Sequence, residues 1–249
     1  MKHDTVPEHL REMNDAYHGE RAKVQPPAGH RDDLMAPLNA VDKALRVADE
    51  LEVKLADTIG GVREGRYSPD QADRLKERAV QDADERTTTL LGIGRNTLEL
   101  LPRKLAGQVF PDEPPHGPDA ADRKGDLQLW ASSLDSNDPG GVADAVVRRT
   151  TEAIRSNDTT TARILMSRWG HDQIAVRIGR DAADQSWPDV RQQVLNQAAG
   201  HAEGSLRTTL VARDMVDQAE RAYVAGINLV DMRITDAKQQ TDQAFARMR

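Results

Sequence analysis

Apolar residues along this chain gather into three long stripes stepped by three and four, with shorter, proline-punctuated segments before the last of them. The first stripe starts abruptly at Leu34 and continues through Leu38, Val41, Leu45, Ala48, Leu51, Leu55, Ile59 and Val62. This heptad-like spacing keeps one face of an α-helix apolar. A helix covering it would be about 43 Å long. Gly60, Gly61 and Gly65 mark its stop. Ser68-Pro69-Asp70-Gln71 then supplies an N-cap, a proline suited to the first helical position and the glutamine of a capping box.

A second helix follows, with Ala72, Leu75, Ala79, Ala83, Leu90, Ile93, Leu101 and Leu105 on its stripe. So short a connection between two long helices predicts that they run antiparallel, giving a helical hairpin over residues 34–107. Its distal half is Ala-rich and its base, near Leu90 to Leu105, is Leu-rich. Gly92 and Gly94 each cost about 1 kcal/mol relative to Ala inside a helix, so they point to a close helix approach or a kink. The residue after Gly94 fits no phosphate-binding glycine motif.

Residues 1–33 contrast with this regularity. Pro7, Pro26, Pro27, Gly19 and Gly29 interrupt them, and Leu10, Met13 and Tyr17 are their only apolar cluster. They read as a flexible N-terminal arm, with a turn or two of amphipathic helix that orders only against a partner or the body of the protein. Pro102 should perturb the end of the second helix, and the prolines that follow predict a semi-rigid linker over 108–119. Next comes a compact domain, 120–204, of short helices at about 120–134, 140–156, 160–180 and from Trp187-Pro188 to 202. It holds Trp130, Trp169 and Trp187, all the tryptophans of the chain. The third long stripe, in residues 205–249, includes Tyr223, Ile227, Val230 and Ile234 and predicts a C-terminal helix of about 66 Å if continuous. The fold class expected is therefore all-α: a long antiparallel hairpin, a compact bundle of short helices and a long C-terminal helix.

Composition supports helices over sheet. Ala supplies 32 of the 249 residues and the aromatics only 8, which favours Ala/Leu helix packing over β-branched and aromatic sheet. No window approaches a membrane-spanning apolar run, and the N-terminus lacks the apolar stretch of a secretory signal, so a cytoplasmic protein is expected, or a virion protein if phage-encoded. Zero cysteines exclude disulfides, thiolate metal sites and cysteine nucleophiles. A net charge of -7 disfavours nucleic acid as a partner. Arg outnumbers Lys 26 to 8 and Asp outnumbers Glu 28 to 13, a bias that high-GC coding imposes.

Candidate chemistry is sparse. His3, His9, His18 and His30 fall in the arm and His116 in the linker, none paired at the helical spacing of a metal site. His171-Asp172 is the one histidine beside an acid in the folded part, read as a turn or surface pair. Acidic clusters such as Asp82-Asp84-Glu85 read as solvated helix faces, because acid–base catalysis needs two carboxylates converging on a cleft. No catalytic, cofactor or metal residues are assigned, and the chain is expected not to be an enzyme.

The residues singled out lie instead on the stripes: Leu45, Leu55, Ile59, Leu90, Ile93, Tyr223, Ile227, Val230 and Ile234. Two helices alone bury too little surface, so the hairpin needs a third helix, either the C-terminal one or one from another subunit. The function expected is a non-enzymatic structural or assembly protein that self-associates through long helices, such as a bacteriophage head, connector, scaffold or tail component from a high-GC host. A helical regulatory adaptor or inhibitor binding one protein partner is the alternative.

Overall fold

The structure, a computed structural model, describes residues 7–198 and 200–248. Among them every regular element is an α-helix. In chain order these are α1 (Glu8–Lys23), α2 (Arg31–Arg63), α3 (Pro69–Val109), α4 (Pro118–Ser132), α5 (Pro139–Arg155), α6 (Thr159–Met166), α7 (Arg168–Ile178), α8 (Arg180–Ala198), α9 (Gly204–Asp214) and α10 (Val216–Met248). The chain forms two compact units. One holds residues up to Pro26, His30–Leu101 and Asp214 onward; the other holds Pro102–Arg213 with Pro27–Gly29.

In the first unit α2 and α3 form the antiparallel hairpin that the stripes predict. Its turn is closed by the capping box: the Ser68 amide donates to Gln71 Oε1 at 3.1 Å, and the Gln71 amide donates to Ser68 Oγ at 3.3 Å. Across the hairpin Lys54 pairs with Asp82 at 3.2 Å and Arg86 with Glu50 at 2.8 Å. The third helix is α10, which lies parallel to α2, with Gly226 beside Val41 and Arg233 beside Asp49 and Glu52. It lies antiparallel to α3, where Lys76 meets Asp242 at 2.5 Å and Lys238 meets Asp84 at 3.1 Å. Burial of Leu51, Leu55, Val230 and Ile234 in one cluster follows from this arrangement.

Helix α1 is a fourth member, and here the expectation of a flexible arm over residues 1–33 is corrected for the described residues from Pro7 onward. Tyr17 is fully buried, Leu10 and Val24 are buried, and α1 packs on α10. The single apolar cluster of that segment suffices because each such side chain, once fully covered, contributes about 1.5–3 kcal/mol. Residues 1–6 of the expected arm lie outside the described residues.

The second unit is built on a core that includes Val146, Ile164, Val194 and Leu210, with all three tryptophans half-buried against it. Asp138 and Asp158 cap α5 and α6 through Gly141 N at 2.9 Å and Thr161 N at 3.1 Å. Four boundaries differ from expectation. The segment 160–180 is two helices, because Ser167 is extended (φ -81, ψ 173) and turns the chain sharply. A Cβ at Gly170 would collide with the Leu165 carbonyl, so this corner requires glycine. Helix α8 begins at Arg180, after Gly179 at φ 87, and continues through Pro188 instead of starting there; α3 likewise continues through Pro102. The run from 205 is interrupted at Met215, so the long C-terminal helix is α10 and its predecessor α9 contributes Leu206 and Leu210 to the second core.

Candidate interaction surfaces

Four helices of limited apolar content cannot bury every stripe residue, and the residues left uncovered define the candidate surfaces. Leu55, Tyr223, Val230 and Ile234 are buried, while Leu45, Ile59, Leu90 and Ile227 are half-buried. Ile93 is 58% exposed and stands outside the intramolecular seam. The residue that faces inward there is Gly94: a Cβ on it would come within 2.6 Å of the Tyr223 ring and 3.3 Å of the Ala40 methyl. Glycine lets Tyr223 approach α3 and donate its hydroxyl to the Leu91 carbonyl, and burial pushes the Tyr223 phenol above its usual range. Counting apolar letters selects Ile93; the close approach selects its neighbour.

Ile93 shares one edge of α3 with Leu100, two turns on, and with Leu75, five turns back. Leu100 is 62% exposed and Leu75 40%. The same edge carries Asp82 and Arg86, which pair with α2, and Lys54 holds the Asp82 carboxyl below the usual carboxylate range. This edge of α3 thus carries charge pairs that stay inside the molecule together with apolar side chains left exposed.

The second surface lies on the opposite side of the α2/α10 layer. Helix α1 runs antiparallel to α2, as Tyr17 donating to Asp42 and Arg21 bonding Leu38 show, and its N-terminal end stops partway along the bundle. A polar clasp fixes it: Arg21 Nη1 donates to Tyr17 Oη at 2.7 Å and to Asp42 Oδ1 at 2.5 Å, and Tyr17 Oη donates to Asp42 Oδ1 at 2.7 Å. Burial pushes the Tyr17 phenol well above its usual range, and the bond to Asp42 adds to this. Beyond Pro7, the track of α1 continues as an open groove of about 760 Å³ between α2 and α10, walled by Leu55, Ala56, Ile59, Leu229 and Ala237.

In the second unit Leu129 on α4 and Val176 on α7 are 74% and 80% exposed. Arg177 joins these helices by donating to the Ser132 and Leu134 carbonyls at 2.5 and 2.7 Å. The histidine singled out in the sequence has a partner that spacing could not reveal: His171 Nε2 lies 2.9 Å from Asp184 on α8, its ring edge-on to Trp187, with Asp172 at 3.7 Å. Among the described residues no three His, Asp or Glu side chains converge as metal ligands, and no helix is long and apolar enough to cross a membrane.

Comparison of the chain with models of known protein families, with curated proteins and with solved structures found no match.

Proposed function

We propose that this chain is a non-enzymatic helical assembly protein that associates with further copies of itself through its long-helix unit. The observation that carries the reading is the edge of α3, where Leu75, Ile93 and Leu100 stand exposed at whole-turn spacing on a 41-residue helix. Aligned apolar side chains on one long helix form the seam that a neighbouring helix packs against. Within this class, a bacteriophage virion component is the narrower reading, supported by the high-GC composition. Portal, capsid or tail genes beside this one support it, and a metabolic neighbourhood overturns it.

Sedimentation equilibrium across micromolar concentrations tests the assembly reading. The wild type is expected to associate, and Ile93→Glu with Leu100→Glu to give a monomer of unchanged helix content. A wild type that stays strictly monomeric overturns the proposal. A helical adaptor for a different protein is the second reading, favoured by exposed Leu129 and Val176 on adjoining helices of the second unit. It predicts that Leu129→Glu abolishes capture of that protein while leaving self-association intact.

A further inference from the structure

Four half-exposed charges cross the hairpin as one chain of ion pairs: Lys54 with Asp82, Asp82 with Arg86 at 3.6 Å, and Arg86 with Glu50. The two pairs between helices put residue 52 of α2 level with residue 84 of α3. About that level the edge of α3 reads the same outward in both directions, apart from the sign of its charges. Asp82 and Arg86 stand two residues to either side, Ala79 and Thr89 five, and Leu75 and Ile93 nine. Helix register keeps Leu75, Asp82, Arg86 and Ile93 within about 20° of one line along α3, and all four are exposed. On α2, Glu50 and Lys54 likewise stand two residues to either side of residue 52, again opposite in sign. A two-fold rotation therefore exchanges cation for anion at the centre and apolar residue for apolar residue at the flanks. That is the requirement for an isologous contact, in which residue i meets j and j meets i.

Resting on the assembly reading above, we propose that the α3 edge packs antiparallel on the same edge of a second copy, about a two-fold axis level with residue 84. Leu75 of each copy meets Ile93 of the other, about 14 Å from the axis on either side. At the centre Asp82 faces Arg86 of the second copy, and on α2 Glu50 faces Lys54, so every charge keeps its intramolecular pair and gains a second opposite charge. Ala79 opposite Thr89 leaves room for the helices to approach, because both side chains are small. A parallel pairing in the same register would set Asp82 against Asp82 and Arg86 against Arg86, and like charges opposite one another select against it. Leu100 reaches the level of residue 68 of the second copy, at its hairpin turn.

The chain has no cysteine, so introduced thiols report the register without background. Full-length Leu75→Cys and Ile93→Cys proteins are mixed, treated with oxidised glutathione and run on a non-reducing gel. The mixture should give a disulfide-linked dimer joining position 75 to position 93. Either variant alone should stay unlinked, because identical positions of the two copies are about 27 Å apart, far beyond disulfide reach. Thr89→Arg, at an exposed position between the charges and Ile93, should weaken association about tenfold in sedimentation equilibrium with unchanged circular dichroism. Leu75→Cys or Ile93→Cys linking to itself in preference to the mixture overturns the antiparallel register. No linkage in any mixture, or unchanged association of Thr89→Arg, while the wild type associates, overturns the two-fold contact and leaves self-association standing. A wild type monomeric at every concentration overturns both readings.

Discussion

The two halves of the α2/α10 layer are covered by different means. Near the base of the hairpin the layer lies between α1 and the Leu-rich part of α3, and its side chains are large: Leu34, Leu38, Val41 and Tyr17 are essentially inaccessible, and Leu98 and Leu101 are buried from the α3 side. Toward the hairpin turn the buried set shifts to Ala72, Ala83, Thr58, Thr87, Ala237 and Thr241 beside Leu55 and Phe245. These threonines satisfy their hydroxyls on their own helices, as Thr58 does on the Lys54 carbonyl, Thr87 on Ala83 and Thr241 on Ala237, each at 2.8 Å. On that side α1 is absent and the groove lies open. The difference teaches that one continuous pair of helices need not be equally complete along its length. The half with four helices closes on itself, and the half with three leaves an apolar wall open.

The comparison breaks most severely at Tyr17. Tyr17→Ala should remove the largest side chain between α1 and the layer together with its bond to Asp42, and cost about 3–5 kcal/mol in a denaturant melt. A loss below about 1 kcal/mol would mean that α1 is not integral to the four-helix half. Glycines sharpen the contrast at a smaller scale. A Cβ on Gly226 would collide with the Val41 side chain and stand 2.9 Å from the Tyr17 ring, so Gly226→Ala should destabilise by about 1–3 kcal/mol despite the better helix former. Gly60, in the other half, has open space where its Cβ would go, and Gly60→Ala should stabilise by about 0.5 kcal/mol. Melts showing the same sign for both would contradict the assignment of a tight and a loose half.

Most of this framework is legible in the order of the amino acids. The α2 and α3 stripes, their Leu-rich base and Ala-rich tip, and the capping box between them are local patterns, and local patterns survive tertiary context when they all agree. What is not legible depends on partners distant along the chain. The sequence of α1 reads as a flexible arm with a turn or two of amphipathic helix, because its clasp joins Tyr17 and Arg21 to Asp42, a residue of another helix. Ile93 reads as a stripe residue because its spacing fits, whereas the close contact with α10 belongs to Gly94, which no apolar count includes. The break at Met215 has no proline or glycine to announce it. Pro102 and Pro188 mislead in the opposite sense, since each lies inside a helix that its missing N–H weakens without ending. The groove is invisible for a simpler reason: it exists where α1 stops relative to two other helices, and one stripe alone does not encode that.

The central claim is that the long-helix unit associates with further copies of itself through the exposed edge of α3. Amide hydrogen exchange of the wild type at low and high micromolar concentration measures this directly. The account predicts that amides of 90–101 on α3 slow as concentration rises, while those of 38–48 on α2, already covered by α1, keep their rates. Concentration-independent exchange in both segments, or slowing confined to 38–48, would contradict it.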